Sequence, residues 1–312
     1  MIARRLAGLP FMLVAISIVV FSLTAMAPGS TEAALLAGRP TTPENLASIR
    51  EAYNLDEPLV VQYFLWAGDA VTLDFGRSLR TKEPVTEVLA ERAMVTGFLG
   101  IYAFVITVVG GIGLGILAAL VKGTVFDRGI VGTTVLGISA PAFATGLLLL
   151  YVFAVALNWF PVFGVGEGFL DQVWHFTLPA VALALTSMAL MVKLTRTSMI
   201  DALQQDYVVF ARSRGLPPSR VISRYAFRNA LIPSLTAGGL ILGYMLTGAV
   251  LVEVTFALPG LGTLLVESVR YKDIPVLQAL VILIATMVIL VNLGVDLLYK
   301  SVDPRIRYDG IS

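Results

Sequence analysis

Residues 201–233 read DALQQDYVVFARSRGLPPSRVISRYAFRNALIP, a polar, basic stretch with a long apolar run on either side. Ile200, Leu203, Tyr207 and Phe210 recur at three- and four-residue steps, which predicts one face of a short helix. Gly215 then offers left-handed backbone at low cost and predicts a stop. Pro217 and Pro218 suit the first turn of a second helix, where a missing N–H costs nothing. That helix carries Arg220, Arg224 and Arg228 at four-residue steps, with their guanidinium groups along one side. Seven Lys or Arg residues lie between Lys193 and Arg228, against Asp201 and Asp206 alone. In a chain that crosses a membrane, such a loop stays in the cytoplasm.

Composition makes lipid the solvent. Hydrophobic residues are 57% of the chain and the mean hydropathy is +0.85. Charged residues are 14%, where a soluble domain has about a quarter. With 22 Lys+Arg against 21 Asp+Glu, no nucleic-acid partner is expected. The absence of cysteine excludes disulfides and thiolate metal sites, and the single histidine, His175, excludes a histidine cluster. No metal site is expected.

The apolar runs predict an all-α, polytopic chain with six spans. Arg4 and Arg5 precede the first, Leu6–Ala27. Ala25-Met26-Ala27 mimics a signal cleavage site, but the run exceeds a signal core and Pro28 would follow the cut. It is read as an uncleaved helix with a cytoplasmic N-terminus. A polar segment follows to Arg92, with a helix start at Thr42-Pro43-Glu44 and turns at Gly68-Asp69 and Phe75-Gly76. The second span, Val95–Val121, carries Thr107, Gly111, Gly115 and Ala118 on one face, which admits a close neighbour. Its GGIGLG run is mid-span with no following Lys, so it is not a nucleotide loop. The third span is Val131–Leu157, with Pro141 inside. The fourth is a short Phe176–Val192 with Pro179 near its start. Residues 158–175 between them lack Lys and Arg and are read as external. A glycine-rich fifth span, Leu231–Val252, and a sixth, Val276–Tyr299, complete the set. Lys300, Arg305 and Arg307 return the chain to the cytoplasm. The division is therefore 1–28 as first helix, 29–92 as a small extracytoplasmic subdomain, and 93–312 as five further spans with the loop 197–230.

Ala211 and Gly215, leading into a basic helix that ends RNALIP, resemble the cytoplasmic EAA loop of ABC-importer permeases. More narrowly, DYVVFARSRGL with RYAFRNALIP resembles the B-type permease of the oligopeptide/dipeptide (peptide/nickel) importers. Val209 and Phe210 stand where the general pattern has glutamate and its first alanine, a departure that the narrower pattern tolerates. EVTFALPGLGTLL at 253–265 and DLLYKSVDPRIRY at 296–308 are similar to the family's external segment and C-terminus. The resemblance implies the type I ABC importer permease fold in a bacterial or archaeal cytoplasmic membrane. It implies a second homologous permease, two ATPase subunits and an extracytoplasmic solute-binding protein as partners. Di- or oligopeptides are the implied cargo; relatives also handle metal chelates, glutathione-like compounds and sugars. It further implies an ATPase-docking surface at Asp206, Tyr207, Phe210, Ala211, Arg212, Arg214 and Gly215. The chain has no GxxxxGK[ST], so ATP and Mg are expected on the ATPase partners and no cofactor on this chain. The 29–92 segment is either a lid or a docking surface for the binding protein.

Other readings stand beside this one. The basic loop also fits an interfacial helix pair held by anionic membrane lipid. Tyr244 and Thr247 are candidate path-lining groups by position. Glu253 closes the fifth span externally, at a gate or simply reaching water. Asp296, one turn from Asn292, is expected to pair with Lys300. His175, beside Trp174, is read as an interfacial anchor. An ion-coupled secondary transporter would need charged relays near mid-membrane, and the spans nearly lack them. A membrane enzyme would need a catalytic set, and neither HExxH nor GxSxG occurs.

The Lys/Arg asymmetry places both termini and residues 212–228 in the cytoplasm, with Glu44, Gly68 and Glu167 outside. Single cysteines in this cysteine-free chain test that with an impermeant reagent on intact cells. Position 68 is expected to label and position 214 to stay silent; labelling at 214 but not at 68 overturns the topology.

Overall fold

The computed structural model describes residues 2–26, 42–52 and 54–302. Ala27, Pro28, Arg305 and Arg307 lie outside these, as do the side chains of Asp296 and Lys300. The described residues are mostly helical, with one isolated antiparallel bridge between Arg77 and Pro84. In order, the helices are α1 (Ile2–Ala25), α2 (Pro43–Ala52), α3 (Leu59–Val71), α4 (Val85–Leu120), α5 (Val125–Ser139), α6 (Ala142–Leu149), α7 (Phe169–Leu203), α8 (Asp206–Ser213), α9 (Pro218–Arg220), α10 (Arg228–Thr255), α11 (Leu261–Tyr271) and α12 (Ile274–Val302). Helix α6 continues as a π-helical turn, Leu150–Ala156, and α9 joins α10 through another, Val221–Phe227.

Three stretches are long and apolar enough to cross a bilayer: Val85–Leu120, Phe169–Leu203 and Ile274–Val295. Two bent pairs raise the number to five if each counts as one span. In α1 the described apolar stretch is Pro10–Ala25, shorter than those. The expected third span is not a straight crossing, because Val125–Gly137 and Ala142–Ala156 meet at 108°. Pro141 supplies the reason. Its ring pushes the preceding residue out of helical space, and Ala140 sits extended at φ −89°, ψ 125°. Pro179 behaves differently. The expected short fourth span is part of a 35-residue helix that starts ten residues before Pro179, so that proline is in the helix interior. The fifth span is longer than expected, reaching Thr255, and bends by 46° between Met245 and Thr247.

The chain forms two compact units. The first comprises Met1–Val95 with Pro259–Ile289. Its core joins Val85, Val88 and Leu89 of α4 to Leu261 and Leu264 of α11 and to Val276, Ala279 and Leu280 of α12. Asp273, buried, ties the 77–84 turn to this core: Ser78 Oγ donates to it at 2.6 Å and the Leu79 N–H at 3.1 Å. Arg80 adds an ion pair to Glu267 at 2.8 Å and lies 4.3 Å over the Tyr271 ring.

The second unit comprises Thr96–Leu258 with Leu290–Ser312, and α7 is its centre, packed by α5, α6 and α10. Helix α4 meets it on the small-residue stripe read from the sequence. Thr107 and Ala118 are fully buried. A methyl group at Gly111 would fall 2.5 Å from Met191 Cγ, and one at Gly115 would fall 2.9 Å from the Val192 carbonyl oxygen. Backbone cannot step aside as a side chain can. Gly115→Val is expected to destabilise the protein by about 1–3 kcal/mol, lowering its thermal midpoint in detergent. Gly113→Val, facing open space in the same helix, should leave that midpoint near wild type.

Candidate docking loop and buried gate

Helix α7 ends at Leu203, and Gln205 takes extended backbone (φ −71°, ψ 147°) before α8 begins. Asp206 sits in the first turn of α8 and Arg212 in its last, each complementing the helix dipole. The Gly215 N–H then bonds the Arg212 carbonyl at 2.9 Å, with Gly215 at φ +72°. That positive φ is the left-handed stop expected of it. Pro217 is extended and Pro218 opens the next helix as expected. The helix that follows is not short: it runs through the π turn into α10.

The break at Gln204–Gln205 changes which face of α8 is buried. Tyr207 and Phe210 were expected to share one helical face with Ile200 and Leu203, and also to belong to the docking surface. Instead Val208 and Ala211 are buried, packed on Val221 with Leu203, Leu216 and Tyr225 around them. A helical periodicity carries across positions only while the helix is continuous, and here it is not. Asp206, Tyr207, Val209, Phe210, Arg212 and Arg214 therefore face outward, with Phe210 65% exposed. The Arg214 guanidinium lies 5.9 Å from the Phe210 ring centre. Ala211 is part of the floor, not of the outward surface. Arg220, Arg224 and Arg228 are also exposed.

Two polar links, one buried and one half-buried, hold the end of α7. Arg196 donates to Asp127 from Nε at 2.7 Å and from Nη2 at 2.8 Å, a bidentate pair. The Gly123 N–H donates to the same carboxylate at 2.9 Å, and Thr124 caps α5 through the Asp127 N–H. Neither Asp127 nor its pairing was singled out from sequence. The Thr124-x-x-Asp127 capping pattern was its visible signal, but the partner lies 69 residues away. On the other side, Thr195 and Ser234 share a 3.0 Å hydroxyl bond that links α7 to α10.

Glu253, fully buried, accepts from Thr96 Oγ at 2.6 Å, so within this chain it does not reach water. The alternative of a solvent-facing carboxylate is thereby corrected. Burying a carboxylate is costly without a donor, and Thr96 is one. Tyr244 and Thr247 are exposed on the same helix, Tyr244 at 74%. The three candidate path residues are thus not gathered at one point. His175 Nδ1 lies 2.9 Å from the Asp171 carbonyl, and Trp174 stacks on Phe160 at 4.4 Å. Among the described residues no group of His, Cys, Asp or Glu fits a metal ion.

Residues 111–308 match the family described as the inner membrane component of binding-protein-dependent transport systems. Residues 1–99 match the N-terminal family of the same membrane components. A protein of Brucella abortus (strain 2308), named provisionally as a peptide transport system permease, is 39% identical over 99% of both chains. The glutathione transport system permease GsiC of Escherichia coli (strain K12) is 39% identical over 98% of both. Among solved structures, an amino acid ABC transporter aligns with a TM-score of 0.53 at 20% identity, covering 69% of this chain and 94% of its own. The MetNI methionine ABC transporter gives 0.53 at 17%, covering 70% and 94%. These last two likenesses concern the fold.

The Asp127–Arg196 pair fastens the 121–125 turn to α7, and exposed Lys122 lies in that turn. Trypsin cleavage after Lys122 in detergent is expected to quicken in Arg196→Ala and to rise less in Arg196→Lys, which keeps charge without the fork. Equal cleavage in all three proteins would mean that the pair does not hold the turn.

Proposed function

The chain belongs to the family of inner-membrane components of binding-protein-dependent transport systems, and from that premise we propose that it is the transmembrane permease subunit of an ATP-driven importer of di- or oligopeptides. It is a multi-pass membrane protein. The names of its 39%-identical relatives, a peptide and a glutathione permease, support the cargo class. The observation that carries the mechanism is α8: an eight-residue helix with a small apolar floor and a charged, aromatic outer face. Asp206, Tyr207, Phe210, Arg212 and Arg214 form the surface that enters a groove on an ATPase subunit. Ala211 and Gly215 set its seat and its turn.

The partners in this reading are a second homologous permease, two ATPase subunits that hold ATP and Mg, and an extracytoplasmic solute-binding protein. Both termini lie in the cytoplasm. The chain itself does no covalent chemistry. Closure of the ATPase pair displaces α8, and the displacement passes to the spans on either side, α7 and α10. Tyr244, Thr247 and Glu253 belong to the path or its gate, Glu253 as a buried member and the other two on the outer face of α10.

Gly215 tests the reading. Val there would place a β-branched residue at φ +72° in open space, a local strain of about 1–3 kcal/mol. A docking contact loses tenfold in affinity for about 1.4 kcal/mol. Gly215→Val is therefore expected to reach the membrane in near-normal amount yet to copurify with far less ATPase and to lose most peptide uptake. Gly168→Val is the matched control, with φ +81° and equally open space, but in the loop before α7. It should keep its ATPase. Full ATPase complement and uptake in Gly215→Val would remove α8 as the coupling element. Steady ATP turnover by the purified chain alone would remove the whole reading.

A further inference from the structure

The segment between the first two apolar runs is expected from sequence to be polar and to stand outside the membrane, yet it contains α3. Leu59–Val71 reads LVVQYFLWAGDAV, with Asp69 its one charged residue, and none of its residues is fully buried. At 13 residues it is about 20 Å long, too short for the roughly 30 Å hydrocarbon core. One face packs on α1. Phe21 lies between the Tyr63 and Trp66 rings, at 5.6 and 5.5 Å. The opposite face exposes Val60, Val61, Phe64, Leu65 and Val71, with Phe64 at 68%. Gln62 and Asp69 lie on the remaining side, and an exposed apolar helix face of this size needs cover.

The level of that contact decides what the cover is. The Tyr63 hydroxyl shares a 2.8 Å bond with Ser17 Oγ. Ser17 stands eight residues before Ala25, the last residue of α1, or about 12 Å along the helix. The end of α1 is itself level with the first turns of α12, since Gln278 Nε2 donates to Thr24 Oγ at 2.7 Å. Tyr63 therefore meets α1 about 12 Å short of its C-terminal end, within the apolar stretch Pro10–Ala25. There the Tyr63–Ser17 bond satisfies two polar groups. The same stretch of α1 exposes Val14, Ile18 and Leu23, so acyl chains that cover α1 at this level also meet α3.

We propose that α3 is embedded in the bilayer leaflet at the C-terminal end of α1, with the face bearing Val60, Phe64 and Val71 covered by lipid acyl chains. The charged residues flanking it fit that placement. Asp56 and Glu57 precede α3 and Asp69 and Asp74 end it, so both ends return to the headgroup level. Trp66, packed on Phe21 nearer the end of α1, is an aromatic type that favours that interface. The segment is thereby fixed at the membrane surface before it reaches the Asp273-tied turn at 77–84.

Nitroxides at Val60→Cys and Phe64→Cys test this in the full chain, with whatever subunits copurify, in vesicles of phosphatidylethanolamine and phosphatidylglycerol. Collision with oxygen reports acyl chains, and collision with a water-soluble nickel chelate reports solvent. Phe11→Cys on α1 serves as the lipid-facing reference and Glu57→Cys as the aqueous one. At 60 and 64 oxygen collision is expected to match position 11, with chelate collision at least about tenfold below position 57. Chelate access at 64 equal to that at 57 places the face in water and overturns the proposal. Exclusion of both reagents means that protein covers the face, and overturns it equally. If one label lowers membrane yield, the other, one turn along the same face, decides.

Discussion

At Gly115 an added methyl group would meet the Val192 carbonyl oxygen at 2.9 Å and Thr195 Cβ at 2.6 Å, so the backbones of α4 and α7 approach too closely there for any side chain. In lipid there is no hydrophobic drive to bring helices together, and dispersion contact between close backbones takes its place. That approach fixes α7 in both position and rotation. With α7 placed, Thr195 presents its hydroxyl to Ser234 and Arg196 its fork to Asp127 on the next residue. Adjacent residues on a helix point about 100° apart, so the two links seize α7 from different sides. A slip of one residue would break both.

Buried polar groups in this unit serve register more than cohesion. Thr107 reaches the Ala184 carbonyl at 3.4 Å, Thr195 meets Ser234, and Thr96 donates to Glu253. Each such bond is worth about 1 kcal/mol net, but leaving its partner unsatisfied costs more. The asymmetry penalises wrong alignments of otherwise interchangeable apolar helices. Glu253 carries the highest penalty, because an acid has no cheap state at that depth without a donor.

Features that depend on one residue's backbone or on a local stripe were legible in the sequence. Gly215 needed only its own φ to be predicted, and the 107–118 stripe needed only helical spacing. What failed needed information from elsewhere in the chain. Pro141 breaks its helix and Pro179 does not, although both sit in apolar runs of similar composition. Pro179 is buried inside α7, and nothing in the local composition separates the two cases. Tyr207 and Phe210 share a helical spacing with Leu203 but not a helix, because a two-residue break intervenes. Thr96 and Glu253 are 157 residues apart, and nothing local pairs them. Helix α3 was hidden differently: its 13 residues, apolar apart from Gln62, Gly68 and Asp69, sit within a segment rich in acids.

The loop's geometry bears on how force would travel if ATPases displace α8 as proposed. Two bends flank α8, at Gln204–Gln205 and at Gly215, and bends alone would let it swing without moving anything else. The Val208–Ala211–Val221 cluster removes that freedom. Burying one valine is worth about 1.5–3 kcal/mol, and Val208 and Val221 are both almost wholly buried. Helix α8 therefore moves together with Val221, the first residue of the π turn that leads into α10. Leu203, at the end of α7, packs on the same cluster. The π turn at 221–227, an i→i+5 segment between α9 and α10, is where that displacement would be taken up. Below it, Ser234 and Thr195 lock α10 to α7 again. Under that proposal, displacement of α8 is accommodated in the π turn and passed to both spans below it.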